Sequence, residues 1–519
     1  MRRRNDRRSF LKQVAGLPII APFVSRMPQS SAGARKFDPK FAPAHEAVRA
    51  LREGVISSRE LTGLVYERIK KHNPRINAFV TLVEQHALEK ARQADEALAT
   101  GNSLGRLHGL PILIKDVFQT AGIRTTCGSL QLENYVPKED AVAVARLRAA
   151  GAILIGKTNL PEFASDLQSY NKIAGTSNNP WDLTRTPGGS TGGGAAAIAT
   201  GLGFLELGSD IGGSIRTPCH FCGIYGLKPT LNLVPMDGHI PPEPGAVLAI
   251  PDLPVAGPMA RSARDLILQL EVMAGPRPRD SIAYRWNLPS ARGNKLKDYR
   301  IGYVLDDSFC PVGSETKKVL SGAIDALRKA GVELVEGWPK GFRVQEAFET
   351  YFPLLAAVVG TSMRPEEIKL IRDLTKSSSE EYARLWIQGV DASHRQWMGW
   401  SEARIRSRAL WQDYFRSHDA FLMPANIVPA FSHNQKLTFF ERTVTTPEGK
   451  RPYADMLRWI TVATLTGCPA VVAPVGRTQG NLPVGIQIMG PYLEDATPID
   501  IAGRIGDIVG GYEPPPGFN

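Results

Sequence analysis

From residue 57 onward the chain alternates stretches of helical period with short, wholly apolar runs. Ser57-Ser58-Arg59-Glu60 has the form of a capping box and predicts a helix through about Lys71. Asn77–Leu82 then reads as a strand. Glu84–Thr100 is helical by pattern and stops at Gly101, a residue suited to a C-terminal cap. Pro111-Ile112-Leu113-Ile114 has the continuous apolar character of a buried strand and ends abruptly in Lys115-Asp116. Ala141–Ala150 predicts a helix stopped by Gly151, and Ala152–Ile155 the strand after it. Such alternation implies an α/β sheet with helices on its faces.

A proline-rich stretch from Ile240 to Pro258 and a linker at Pro276–Asn294 punctuate the middle. A strand at Arg300–Val304 begins a second α/β portion. Residues from about 364 to 416 are charged and helical, with Trp386, Trp397, Trp400 and Trp411 interspersed. Buried strands return at Ala470–Pro474 and Val484–Met489. No internal repeat or low-complexity tract divides the chain into independent domains.

Charge changes the picture less than its total suggests. The net charge over 519 residues is +11, but residues 1–36 hold nine basic groups and one acid, a net of +8, leaving +3 for the body. A nucleic-acid partner is therefore not implied. Arg7-Arg8-Ser9-Phe10-Leu11-Lys12, followed by an apolar stretch from Val14 to Val24, resembles a twin-arginine export signal. The plainer reading is a disordered basic tail. The stretch is too short for a permanent membrane span, and no other segment is apolar enough for one. With residues 1–35 as signal and 36–519 as the mature domain, the expected location is periplasmic or secreted.

Five cysteines do not make a disulfide framework. Pro218-Cys219-His220-Phe221-Cys222 carries the P-C-x-x-C half of a zinc deaminase signature. No histidine in the chain has a glutamate two residues later, so the H-x-E half is missing. These cysteines read as small core residues.

The stretch TPGGSTGGGAAAIATG, residues 186–201, leaves three chemical readings open. A phosphate loop needs a lysine, and none occurs between Lys172 and Lys228. Gly188-Gly189-Ser190-Thr191-Gly192 fits the G-x-S-x-G nucleophile elbow, but a triad histidine normally follows near the end of the chain, and 86 residues without one follow His433. A second element, Gly208-Ser209-Asp210-Ile211-Gly212-Gly213-Ser214-Ile215-Arg216, has the glycine pattern of an anion nest or oxyanion hole. Pro218 suits the first turn of a helix starting there. Two serines on glycine-rich loops, with a lysine ending a buried strand, make an acyl-transfer site without histidine. Burial lowers the pKa of such a lysine and lets it act as a base. Asp116, next along an extended strand, points to the opposite face.

These residues resemble the amidase signature hydrolases. The match begins at His108-Gly109-Leu110-Pro111-Ile112-Leu113-Ile114-Lys115-Asp116 and continues through Gly156-Lys157-Thr158-Asn159-Leu160-Pro161-Glu162-Phe163 and Asn179-Pro180-Trp181-Asp182. It passes through both glycine-serine elements to Gly226-Leu227-Lys228-Pro229-Thr230. The two serines are 24 residues apart and the lysine precedes the first by 75, as in that family. The likeness runs from about residue 45 to the C-terminus and is weakest between 300 and 450.

The resemblance implies one α/β domain, a large mixed twisted sheet covered by helices on both faces, with its core at about 100–275 and a variable substrate-pocket region at about 300–450. It implies an amidase acting on linear amides, with Ser214 as nucleophile and Ser190, joined to Gly189 by a cis peptide, relaying a proton to Lys115. The N–H groups of Ile211, Gly212, Gly213 and Ser214 would form the oxyanion hole, with Thr191, Asp210 and Arg216 in support. No metal or organic cofactor is implied, and the partner is a small-molecule amide. Thr191 departs from the family's usual serine, and Cys219 and His220 from small apolar residues. Two alternatives share the fold: the A subunit of the tRNA-dependent glutamyl amidotransferase, and a non-catalytic binding protein.

Overall fold

At Ser57 the capping box closes in both directions: the Glu60 N–H reaches the serine hydroxyl at 3.1 Å, and the Ser57 N–H reaches the Glu60 carboxylate at 2.9 Å. This is a computed structural model that describes residues 37–242, 244, 252–376 and 381–519. The segment resembling an export signal lies outside the described residues. The helix that Ser57 opens, α1 (Ser58–Ile76), runs past Lys71 and ends where Asn77 takes up the left-handed conformation, φ 49°. Helix α2 (Glu84–Ala99) follows the first strand.

Among the described residues, eleven strands form one sheet. In chain order they are β1 (Phe79–Leu82), β2 (Pro111–Lys115), β3 (Ile153–Thr158), β4 (Leu205–Asp210), β5 (Tyr225–Lys228), β6 (Val255–Ala260), β7 (Arg300–Tyr303), β8 (Glu333–Glu336), β9 (Ala420–Pro424), β10 (Ala470–Arg477) and β11 (Pro483–Met489). Across the sheet the order is β1-β3-β2-β4-β6-β5-β10-β11-β9-β7-β8. β2 is parallel to both β3 and β4, whereas β4, β6, β5, β10, β11 and β9 pair antiparallel in succession. The sheet is thus mixed, with helices over both faces, and residues 38–519 form one compact unit. No described helix is long and apolar enough to cross a membrane.

The proline-rich stretch differs from expectation. Its end, Val255–Pro258, is not punctuation but part of β6 in the middle of the sheet. β5 pairs with β6 only at Tyr225–Ala260 and Gly226–Met259, so at Pro258 the ladder runs on one side alone. A ring without an N–H is tolerated at such an edge-like place.

Two short helices carry the glycine-serine loops. Helix α3 (Gly192–Ala199) is wholly buried and made only of glycine, alanine and isoleucine, so it lies close against the sheet. Helix α4 (Arg216–Cys222) contacts β10 and β11, has Pro218 in its first turn and ends at Gly223, φ 70°.

Residues 344–414 supply four helices, α5 (Val344–Gly360), α6 (Pro365–Leu374), α7 (Glu381–Val390) and α8 (His394–Tyr414). Two of the tryptophans there, Trp386 and Trp411, serve packing. Trp411 is fully buried, edge-on to Phe342 and Phe421, and Trp386 lies against Phe352. Rings in this arrangement gain roughly 0.5–1.5 kcal/mol per pair beyond burial.

Candidate active site

Lys115 ends β2 because the apolar run before it fills the sheet and the loop begins at Asp116. The lysine has no exposed surface, and its Nζ lies 2.6 Å from Ser190 Oγ and 3.1 Å from Ser209 Oγ. Burial pushes its pKa down to about 7, against weaker opposing pulls from Glu206 and Asp210. Near neutrality the amine is therefore present without its proton in substantial fraction. Asp116 offers no counter-charge to it. Its carboxylate accepts from the Thr126 N–H at 2.9 Å and hydroxyl at 2.6 Å and faces Lys157 at 3.4 Å.

Ser190 follows a cis peptide bond from Gly189. The loop has no room for another residue at Gly189, where a Cβ would stand 2.5 Å from the Gln168 backbone nitrogen. Ser169 clamps the turn: its hydroxyl donates to Gly188 O at 3.0 Å and accepts from the Gly192 N–H at 3.0 Å. The Thr191 N–H then donates to Ser214 O at 3.1 Å, so the two serine loops are joined by backbone. Thr191 keeps a hydroxyl bond to Ser209 O at 3.4 Å. Its extra methyl fits against Gly208, where a Cβ would lie only 3.1 Å from it.

Asp210 organises the second loop. Its carboxylate accepts from the N–H groups of Gly213 (3.1 Å), Ile215 (3.0 Å) and Arg216 (3.3 Å), and from the Arg216 guanidinium at 2.8 Å and 3.1 Å. Burial alone would raise its pKa, but the guanidinium and the backbone donors outweigh this and hold it at about 2. Arg216 is itself buried and bonds Ile460 O, Gln487 and Thr464. The Gly213 N–H, which the resemblance places in the oxyanion hole, donates to Asp210 at 3.1 Å in this structure, with Gly213 at φ 86°. Ile211, Gly212 and Ser214 remain as the candidate donors. The Ile211 carbonyl is fixed from outside by the Tyr351 hydroxyl at 3.0 Å.

Two residues beside Lys115 escaped the sequence. Ser209 is its second hydroxyl contact, and the GSD sequence before the nest was the available signal. Glu206, fully buried on β4, had none, since the contacts that define its place are long-range.

The Cys-x-x-Cys segment is ordinary core. His220 accepts the Gly485 N–H at Nδ1 (2.9 Å), and its Nε2 donates to Val428 O (3.0 Å), so neither nitrogen is left to bind a metal. Burial brings its pKa down to about 4.

The family profile described as Amidase matches residues 60–498. The chain belongs to the amidase signature family. The glutamyl-tRNA(Gln) amidotransferase A subunit of Bdellovibrio bacteriovorus is 33% identical over 495 residues, 90% of this chain and 96% of that relative. Further relatives at 32% and 34% identity carry the same name. Among solved structures, a crystallised amidase superposes with a TM-score of 0.73 at 27% identity, covering 90% of this chain and all of its own. A chain of the vestigial protein complex that reveals the origins of an s-triazine catabolic enzyme gives 0.76 at 28%, covering 91% of this chain and 100% of its own.

Proposed function

We propose that this amidase signature enzyme cleaves amide carbon–nitrogen bonds through an acyl-enzyme on Ser214, with Ser190 and Lys115 as the proton relay. The observation that carries the reading is the 2.6 Å approach of a buried lysine to Ser190 Oγ, on a loop bonded to Ser214 by backbone. In the first step Ser214 Oγ attacks the carbonyl carbon. Its proton passes to Ser190 as Ser190 passes its own to Lys115, and the amine departs with a proton returned along the same path. Ile211, Gly212 and Ser214 N–H groups receive the oxyanion, a contribution worth roughly 3–4 kcal/mol for one donor in a comparable site. Water then attacks the ester by the same relay in reverse. Labelling by a fluorophosphonate, with the modified residue located by mass spectrometry, tests this: adduct on Ser214 is expected, and an unreactive Ser214 in folded protein overturns it.

The acceptor divides two readings. In the first, water is the acceptor, the substrates are linear amides, and the N-terminal segment directs twin-arginine export to the periplasm. In the second, the chain is the A subunit of an amidotransferase complex. The names of its sequence relatives, matched over about nine-tenths of the chain, support the second more directly than the first. The twin-arginine-like segment favours the first, because tRNA is cytoplasmic. Purification of the tagged full chain under native conditions separates them: partner subunits in stoichiometric amount mean the second, a chain that hydrolyses amides alone the first.

A further inference from the structure

Strand order puts a second carboxyl beside the lysine. β2 lies between β3 and β4, with Thr158 of β3 opposite Lys115 and Glu206 of β4 opposite Leu113. Thr158 Oγ1 nevertheless bonds Glu206 Oε1 at 2.7 Å. That bond crosses β2 on the face from which Leu113 and Lys115 project, since paired residues share a face and residues two apart along a strand do as well. Helix α3 closes over it at Gly194, where a Cβ would meet Glu206 Oε1 at 2.5 Å. Among the described residues, Glu206 Oε2 has no hydrogen-bond partner.

The other charges around Lys115 are committed. Asp210 is taken by Arg216, and Asp116 faces Lys157, which also bonds Phe118 O, Thr120 and Thr125. Burial keeps the Cys127 thiol protonated, and it keeps His239, whose backbone bridges Phe118, neutral with a pKa of about 3. Gln269, from the helix Ala263–Met273, donates to the Glu206 carbonyl at 3.2 Å and to Met273 Sδ at 3.7 Å, not to the Glu206 carboxylate. Among the described residues, Glu206 is thus the carboxyl near Lys115 that forms no ion pair of its own.

We propose that Glu206 is a positioning residue whose charge sets the proton affinity of Lys115. This rests on the reading of Lys115 as base. As Ser214 attacks, Ser190 takes its proton and gives its own to Lys115; Glu206 takes none and acts on the ammonium that results. Burial raises the Glu206 pKa while a charged Lys115 beside it pulls the other way, and Glu206 in turn pulls the Lys115 pKa up, so the two ionisations are coupled and belong to the pair. An ionised Glu206 favours the ammonium, so removing it makes Lys115 a weaker base that is deprotonated at lower pH.

The test follows the rate of fluorophosphonate labelling of Ser214 against pH, which needs no knowledge of the natural substrate. In Glu206→Gln the midpoint of the rising limb is expected to move down by about half a pH unit or more, with a lower plateau. A midpoint unchanged within about 0.2 units, in folded protein, overturns the proposal, because a merely structural carboxyl is replaced by an amide without altering the titration. Should circular dichroism show Glu206→Gln unfolded, Thr158→Val carries the test: losing the donor favours protonated Glu206, and the same downward shift is expected, its absence being fatal. Failure of the wild type to label at Ser214 counts against the proposed function instead.

Discussion

The Asp210 carboxylate and the Arg216 guanidinium, 2.8 Å apart and both without exposed surface, bind the nest to the helix behind it. Removing one partner leaves the other charged and buried, which costs about 3–5 kcal/mol. Arg216→Met is therefore expected to lower the melting temperature by many degrees and to abolish activity through loss of the loop. The pair also ties stability to pH. Asp210 is held at about 2, below the usual carboxylate value, so its stabilisation is complete above about pH 4 and is lost as pH falls toward 2. In Asp210→Asn that acid-dependent part should vanish from a titration of unfolding free energy. An unchanged acid profile refutes this assignment.

Gly194 makes the space that Glu206 fills. A methyl there would stand 2.5 Å from the carboxylate, and overpacking of this kind costs about 1–3 kcal/mol. Gly194→Ala should destabilise in denaturant titrations, and pairing it with Glu206→Ala should recover much of that loss. Strict additivity in the double-mutant cycle would mean that the two do not meet.

Cys219, His220 and Cys222 are expected to contribute packing and no metal chemistry. Labelling of Ser214 should survive prolonged chelation, and Cys222→Ser should leave its rate within about twofold, as the Cys222 thiol makes only a 3.5 Å contact to Pro187 O. One equivalent of zinc in the purified protein, measured by elemental analysis, would reverse this view.

Export is predicted from Arg7-Arg8 ahead of Val14–Val24. Replacing both arginines by lysine should leave the protein in the cytoplasm, folded and reactive. Equal periplasmic recovery of the variant would end the twin-arginine reading.

Much of this site could be read in the sequence because its parts are local. A lysine after four apolar residues is buried wherever that strand is buried, and glycines around two serines specify loops whatever the rest of the chain does. What escaped depends on the third dimension. Glu206 matters because β2 runs between β3 and β4, an order no local pattern encodes. Gly213 resembles its neighbours in sequence, yet at φ 86° it turns its N–H to a carboxylate three residues back. Pro258 signals an interruption, and only the early end of the β5 ladder makes room for it. The tryptophans of 364–416 carry no mark that separates a pocket wall from a core, and two of them, Trp386 and Trp411, pack in the core.

The sharpest prediction concerns whether Lys115 works as a base or as a fixed charge. Among the described residues no carboxylate stands within ion-pair distance of its ammonium form, and burial brings its pKa to about 7, so the neutral amine becomes the major form as pH rises through that value. Reactivity that needs the neutral amine should therefore climb through pH 7 and level off above it. General-base help is worth about 10²–10⁴-fold, and Lys115→Ala should lose on that order at neutral pH. Its residual rate should keep rising with pH, as hydroxide replaces part of the missing base. Lys115→Arg separates the two roles, since a guanidinium keeps the charge and cannot accept a proton in this range. It should be nearly as poor as alanine. The measurement is kcat/KM against pH on a responsive amide, or the labelling rate of Ser214, for the wild type and both variants. Retention of most of the activity by Lys115→Arg would make the positive charge the contribution of this residue, and the relay through Ser190 would then need another acceptor.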